Sequence, residues 1–395
     1  MVQDEATDLV AHYPDVDNSV DVGADDPMSA LALGLSLAEQ GDLYRAQAVF
    51  ERVLESGDRI ACGPAAWGLG RVFEERHEPE AALLAFGRSV DFGYEAAAFD
   101  LARFLKGEGD IEGAVAAFRR AIASGDPIAA PNAANNLGNL LSDLGDVDGA
   151  ISAYRYALDS GHLEAAPGSA RQLGYLLWQG GDFAGARDAF QFTIDSNHED
   201  QAPRGALALG DLLAELGEAD AAIADYNLAI NSGHPDVAPS ALLMLGAVLE
   251  RRDDLHGAQT AWRQAMVSDH LEAAPRAAFC LGSLLKSQDD IDGAVQAFGV
   301  AMDSGHPEAA PEAAMQLGAL FSQRGDVAEA LSACRVAIDS RHPDAAPRAA
   351  VILGILLTMQ GDSSGAQTAF QYAVDSGHTE VAHEAYARLR GCDRP

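Results

Sequence analysis

The chain has 395 residues, of which 48% are apolar, and it carries a formal net charge of −34. This apolar content excludes a disordered chain. The negative charge argues against binding to nucleic acid or to anionic lipid, because both are bound through clustered Lys and Arg. A protein or peptide partner of basic or neutral character fits the charge, although acidity also serves solubility alone.

The first 26 residues are an acidic segment without the pattern that fills the rest of the chain. The segment contains eight Asp and Glu residues and neither Lys nor Arg. Because like charges repel and few apolar side chains are available for a core, we predict that residues 1–26 are disordered. An acidic start unlike a signal peptide, and four cysteines without a C-x-x-C pair, predict a cytoplasmic protein. The preference for Arg over Lys indicates a GC-rich bacterial genome.

A Leu-Gly pair then recurs with a period of 36 residues. Its glycines are Gly34, Gly70, Gly138, Gly174, Gly210, Gly246, Gly282, Gly318 and Gly354. One further repeat, four residues shorter, lies between Gly70 and Gly138 and has Ala102 in the glycine position. A period of this length is typical of solenoids and propellers, and the abundance of Ala, Leu, Glu, Gln and Arg favours helices. The chain is therefore predicted to be an all-α solenoid.

Each repeat is predicted to contain two helices, as residues 131–162 illustrate. Apolar residues at helical spacing run from Ala133 to Leu144, and a second apolar stripe runs from Ala150 to Leu158. Gly145 suits the left-handed conformation that ends a helix, and the adjacent aspartate suits the N-cap of the next helix. So short a turn makes the two helices antiparallel.

The second helices carry the most regular part of the repeat. Alanine occupies one position in every repeat: Ala46, Ala82, Ala114, Ala150, Ala186, Ala222, Ala258, Ala294, Ala330 and Ala366. An aromatic residue follows four positions later as Phe50, Phe86, Phe118, Tyr154, Phe190, Tyr226, Trp262, Phe298 and Phe370, with Cys334 as the exception. With Leu-Gly twelve residues before the alanine, the chain resembles the tetratricopeptide repeat, and its S-G-H-P-E-A-A-P connections resemble Sel1-like repeats.

This resemblance implies a right-handed α-solenoid over residues 27–391. We expect a superhelix of about ten antiparallel helix-turn-helix repeats, with residues 379–390 as a C-terminal capping helix. Alanine and glycine are predicted to let neighbouring helices approach closely, while the aromatic ring fills the space between adjacent repeats.

Histidines also recur every 36 residues, as His162, His198, His234, His270, His306, His342 and His378. A metal site is one interpretation of this series. Equivalent residues in neighbouring repeats, however, lie at least about 8–10 Å apart, whereas zinc ligands converge to about 2 Å from one ion. We therefore expect no metal and no cofactor. The histidines are predicted to be structural, bonding the last carbonyls of the second helices.

Catalytic motifs are absent from the sequence, which contains no G-x-x-x-x-G-K, G-x-S-x-G or H-E-x-x-H pattern. The chain is therefore predicted not to be an enzyme. A scaffold that binds a peptide or protein in a concave groove of first helices follows from the solenoid and from the resemblance. A regulatory or sensor protein that switches a kinase or transcription factor is the alternative.

In tetratricopeptide repeats the groove is lined by fixed positions of the first helix, and these positions are mostly apolar here. Repeats 4 and 5 differ, offering Asn132, Asn135, Asn139, Arg171, Tyr175 and Trp178. Amide groups can bond an extended peptide backbone, Arg can bind a carboxylate, and Tyr and Trp are frequent in interaction hot spots. These six residues are the predicted partner-binding site, although Asn135 and Trp178 in these positions would also suit a purely local role.

Overall fold

The computed structural model of the protein describes residues 26–392 and gives side-chain contacts to residue 389. The predicted disorder of the acidic segment therefore falls almost entirely outside the described residues. Its last residue, Asp26, caps the first helix, because its carboxylate accepts a hydrogen bond of 3.0 Å from the amide of Ser29.

The described part of the chain consists of helices and contains no strand. The first helices of repeats 1–10 are α1 (Pro27–Glu39), α3 (Cys62–Glu75), α5 (Ala97–Gly107), α7 (Ala129–Asp143), α9 (Ala165–Gln179), α11 (Gln201–Glu215), α13 (Ala238–Arg251), α15 (Ala273–Ser287), α17 (Ala309–Arg324) and α19 (Ala345–Met359). The second helices are α2 (Leu43–Glu55), α4 (Pro79–Asp91), α6 (Ile111–Ala123), α8 (Val147–Asp159), α10 (Phe183–Asp195), α12 (Ala219–Asn231), α14 (Leu255–Met266), α16 (Ile291–Asp303), α18 (Val327–Asp339) and α20 (Ser363–Asp375). A final helix, α21 (Thr379–Cys392), follows. The predicted ten helix pairs and the capping helix are confirmed.

The helices are grouped into two compact units, an N-terminal unit that ends at Gln201 and a C-terminal unit that begins at Ala202. Within each unit a first helix packs against its own second helix, which packs against the next first helix. Neighbouring first helices also touch directly, as α1 and α3 do, and α7 and α9. Each unit thus has one layer of first helices and one layer of second helices, and α21 closes the C-terminal unit against α19 and α20.

The Leu-Gly motif has a steric cause that the contacts within each repeat explain. A Cβ built on Gly174 would lie 2.5 Å from the ring of Phe190, and one built on Gly138 would lie 2.5 Å from the ring of Tyr154. Real Cβ atoms do not approach carbon so closely, so in these two repeats glycine allows the second-helix ring to lie this close to the first helix. These rings are almost completely buried, and Phe190 is 0% exposed.

The turns inside the repeats have the predicted chemistry. Gly145 has φ +79°, and Asp146 accepts a 3.0 Å hydrogen bond from the amide of Gly149 at the start of α8. In repeats 7 and 8 the glycine is replaced by Asp253 and Asp289, which adopt the same left-handed conformation with φ of 63° and 64°. Aspartate tolerates this region better than most residues, so the turn survives without its glycine.

Candidate functional site

The six predicted site residues lie on two adjacent first helices of the N-terminal unit, three on α7 and three on α9. All six side chains are half-buried. Each of the six side chains is therefore partly packed against the fold and partly exposed.

The asparagines are partly used by the fold. The hydroxyl of Tyr154 donates to Oδ1 of Asn139 at 2.8 Å, and the hydroxyl of buried Ser169 donates to Oδ1 of Asn135 at 2.8 Å. The Nδ2 of Asn132 donates to the carbonyl of Ile128, the residue before α7. The Nδ2 groups of Asn135 and Asn139 bond to no group among residues 26–389, and no described polar side-chain atom that is buried lacks a partner. These two amide nitrogens are therefore available to solvent or to a ligand.

The α9 residues form an aromatic and cationic cluster. The rings of Tyr175 and Trp178 are stacked at 15° with centroids 6.3 Å apart, and Tyr175 meets the buried ring of Phe190 edge-on at 5.2 Å. The guanidinium carbon of Arg171 lies 5.9 Å from the Tyr175 centroid, and its Nε donates to Oε1 of Gln201 at 3.0 Å. The remaining guanidinium nitrogens of Arg171 make no bond within the described chain. Packing thus holds the cluster in place while leaving Arg171 two donor groups.

A related polar pair in the C-terminal unit was missed from the sequence. The hydroxyl of Tyr226 donates to Oδ1 of Asp211 at 2.8 Å, at the positions that Tyr154 and Asn139 occupy two repeats earlier. Burial raises the pKa of Asp211 to about 6. The available signal was a tyrosine in the aromatic position, which occurs only in repeats 4 and 6, each time with Asn or Asp fifteen residues before it.

The structure corrects the role predicted for the repeated histidines. His306 and His342 use Nδ1 at the start of the next helix and not at the last carbonyls of the preceding one. Near the end of α16 the carbonyl of Ala301 accepts from the hydroxyl of Ser304 at 2.6 Å, whereas Nδ1 of His306 accepts from the amides of Glu308 and Ala309 at 3.2 and 3.0 Å. The histidine therefore caps the start of the next helix, because helix N-termini present unpaired N–H donors.

The other ring nitrogen joins neighbouring repeats. Since Nδ1 accepts, the ring proton of His306 is on Nε2, which donates to Oε2 of Glu272 in the preceding repeat at 3.0 Å. This bond lowers the pKa of Glu272. His342 and Glu308 repeat the arrangement at 3.0 Å, and both histidine side chains are buried. Sequence reasoning missed the function because the carboxylate lies 34 residues away, in another repeat.

No group of three His, Cys, Asp or Glu side chains in the described part of the chain is placed to hold a metal ion. None of the described helices is long and apolar enough to span a bilayer.

Comparison with known families gives a match along most of the chain. A family model described as tetratricopeptide repeat matches residues 31–98, 99–170, 171–238 and 281–350, and a second model with the same description matches residues 239–264. Among curated proteins, no sequence matches.

Two solved structures show the similarity of fold. The protein c5321, a protective antigen of uropathogenic Escherichia coli with an SLR fold, is 18% identical, with a TM-score of 0.55 over 96% of this chain and 80% of its own. The apo form of RapI is 14% identical, with a TM-score of 0.50 over 80% of this chain and 97% of its own. At these identities the similarity concerns the fold alone.

Proposed function

Because the chain belongs to the tetratricopeptide repeat family, in which helix-pair arrays are typical of protein interaction scaffolds, we propose that it is a non-catalytic scaffold for a peptide or protein partner. The partner lies along the first helices and contacts Asn132, Asn135, Asn139, Arg171, Tyr175 and Trp178. The observation that carries this proposal is the pair of unbonded Nδ2 groups on α7 beside the aromatic cluster of α9.

The side chains of the proposed site make different kinds of contact with the partner. The Nδ2 donors of Asn135 and Asn139 lie one helical turn apart and can bond carbonyls of an extended backbone. The outer nitrogens of Arg171 can bind a carbonyl or carboxylate, and the stacked rings of Tyr175 and Trp178 offer a rigid apolar surface. Since packing already fixes these side chains, binding costs little side-chain entropy.

Two further features of the partner and its location belong to this proposal. The net charge of −34 favours a basic partner, since opposite charge speeds encounter and penalises wrong partners. A reducing compartment such as the cytoplasm suits the three described cysteines, which are free thiols. Burial raises the pKa of Cys280 and Cys334 to about 11 and 12, so both remain unreactive thiols.

The test begins with cross-linked capture of partners from native lysate and continues with affinity measurements on the purified pair. Asn139→Ala and Arg171→Ala are each expected to weaken binding about tenfold or more, as hot-spot truncations do. Tyr154→Phe is the control for Asn139→Ala, because it removes the same internal hydrogen bond but keeps the Nδ2 donor. Arg348→Ala, an exposed arginine of the C-terminal unit, controls for the loss of charge.

Two results would contradict the proposal. If both site variants retain the affinity of the controls, the partner does not use α7 and α9. If no partner binds stoichiometrically and the purified protein instead carries a cofactor and turns over a substrate, the chain is an enzyme.

A further inference from the structure

A pocket of about 500 Å³ opens between α1 and α3, the first helices of repeats 1 and 2. Its apolar lining comes mainly from Leu35, Ala38, Leu43 and Trp67, and its charged lining from Glu39, Arg71 and Glu75. Leu35, Trp67 and Arg71 lie on the same layer of first helices as the predicted site in repeats 4 and 5. A volume of this size is in the range of ligand pockets and exceeds what one water needs.

The indole of Trp67, which lines the pocket, is fixed by contacts with two other side chains. The Nε1–H of Trp67 donates to Oδ2 of Asp100 at 2.6 Å, and the indole meets the ring of Tyr94 edge-on with centroids 6.2 Å apart. These contacts fix the orientation of the indole, so a ligand meets a preformed apolar surface. Gly68 also contributes to the shape, because a Cβ there would lie 2.5 Å from the ring of Phe50.

The charges around the pocket are unbalanced. Glu39 and Glu75 are both exposed and form no ion pair within the described residues. The one cation, Arg71, lies over the face of Trp67 with its guanidinium carbon 5.4 Å from the ring centroid. Two carboxylates without a counter-ion favour a cationic ligand group. An indole face in this position can hold a cation by cation–π attraction.

We infer that this pocket binds a large apolar side chain of a protein partner that has Arg or Lys next to it. The apolar side chain lies against Leu35, Leu43 and Trp67, and the basic group pairs with Glu39 and Glu75. This inference rests on the proposed scaffold function and adds a second subsite to it, specific for a basic and apolar sequence.

The three tryptophans allow the inference to be tested on the full chain. Trp67 reports on the pocket, Trp178 reports on the repeat 5 cluster, and Trp262, whose indole donates to the carbonyl of Leu243 in the core, serves as the internal reference. The indole ¹⁵N–¹H resonances are assigned by single Trp→Phe substitutions. The probe is the acetylated and amidated tetrapeptide Gly-Phe-Arg-Gly, compared with Gly-Phe-Glu-Gly and Gly-Ser-Arg-Gly.

The expected result is a saturable shift of the Trp67 resonance by the Phe-Arg peptide, with Trp262 unchanged. The Ser-Arg peptide should bind about tenfold more weakly, since it lacks the apolar contact, and the Phe-Glu peptide up to about fivefold more weakly, since it lacks the ion pair. Glu39→Gln with Glu75→Gln should remove the preference for Arg over Glu. The charge-matched pair Glu112→Gln with Glu329→Gln, on the exposed faces of α6 and α18, should leave it intact.

Other outcomes separate this inference from the proposed function. A shift of Trp178 alone overturns the pocket and supports the scaffold site in repeats 4 and 5. If no peptide moves either resonance, the pocket inference is wrong, and the partner-affinity test decides the scaffold function by itself. If deletion of residues 2–25 shifts Trp67 and strengthens peptide binding, the occupant is the chain's own acidic segment and not a partner.

Discussion

The N-terminal and C-terminal units contain the same helix pair but use its variable positions differently. In the C-terminal unit the residue three before each motif glycine is apolar, as Leu207, Leu243, Phe279, Met315 and Val351, and the period is a constant 36. In the N-terminal unit repeat 3 is shorter, and repeats 4 and 5 have Asn135 and Arg171 at that position. The open pocket beside Trp67 also belongs to the N-terminal unit.

The loops between repeats differ in the same way. Oδ1 of Asp58 and of Asp126 caps the next helix in the N-terminal unit, the latter accepting amide hydrogen bonds of 2.9 and 2.7 Å. In the C-terminal unit His306 and His342 cap the helix and also bond the preceding repeat. His198 in the N-terminal unit does the same, since its Nε2 bonds Oε2 of Glu164 at 3.2 Å. The comparison teaches that the bond between repeats depends on a histidine in the connecting loop, which the first loops of the N-terminal unit replace with aspartate.

The largest expected loss of stability comes from the buried aromatic ring of the second helix, which both units contain. Phe190→Ala in the N-terminal unit and Phe298→Ala in the C-terminal unit should each lower the free energy of unfolding by about 3–5 kcal/mol, because both rings are fully buried against a glycine. Urea unfolding followed by circular dichroism measures the loss. Phe192→Ala, which truncates a half-exposed ring on the same helix as Phe190, should cost under about 1 kcal/mol. If Phe190→Ala and Phe192→Ala lower the free energy of unfolding equally, burial of the ring against glycine is not the source of its stabilising effect.

A smaller change in stability is expected from the pair of Tyr226 and Asp211, and it depends on pH. The pKa of Asp211 is raised to about 6, so the folded state favours the protonated acid, and stability falls as pH rises towards 6. Asp211→Asn, which copies Asn139 of the N-terminal unit, should therefore add roughly 1–3 kcal/mol at pH 8 and almost nothing at pH 4. The reverse exchange, Asn139→Asp, should destabilise at pH 8. Denaturation midpoints at the two pH values measure both, and a pH-independent gain would contradict the assignment.

The smallest change in stability is expected from the loops between repeats, where histidine or aspartate caps the next helix. His306→Ala should cost about 1–2 kcal/mol, since it removes a helix cap and an inter-repeat bond, whereas His306→Asn keeps an acceptor for the cap and should cost less than half of that. Asp126→Ala in the N-terminal unit should cost about 1 kcal/mol, for the cap alone. Thermal unfolding at constant pH compares the three variants. If Asn and Ala at position 306 are equally destabilising, the cap contributes nothing.

Local features of the repeat were predictable from the sequence because their causes are local. Gly145 and Asp146 specify a turn through their own conformational and capping preferences, and the Gly174–Phe190 contact recurs at the same spacing in nearly every repeat. The bond between His306 and Glu272 joins different repeats, so no preference of either residue reveals it. The candidate site was predictable only as a break in the pattern at Asn135 and Arg171. The division of Asn135 into an engaged oxygen and an available nitrogen depends on Ser169, 34 residues away.

The double role of the histidines produces a continuous line of hydrogen bonds in the C-terminal unit. It runs through His270, Glu272, His306, Glu308, His342 and Asp344, alternating between backbone amide to Nδ1 and Nε2 to carboxylate. Hydrogen bonds tolerate little stretching, so this line fixes the distance between successive repeats along the edge where it runs. Any bending of the C-terminal unit must then pivot about that edge, with the strain taken up on the opposite side. The edge that carries these hydrogen bonds therefore resists extension more than the opposite edge does. The stiffness of this unit depends on the direction in which it is bent.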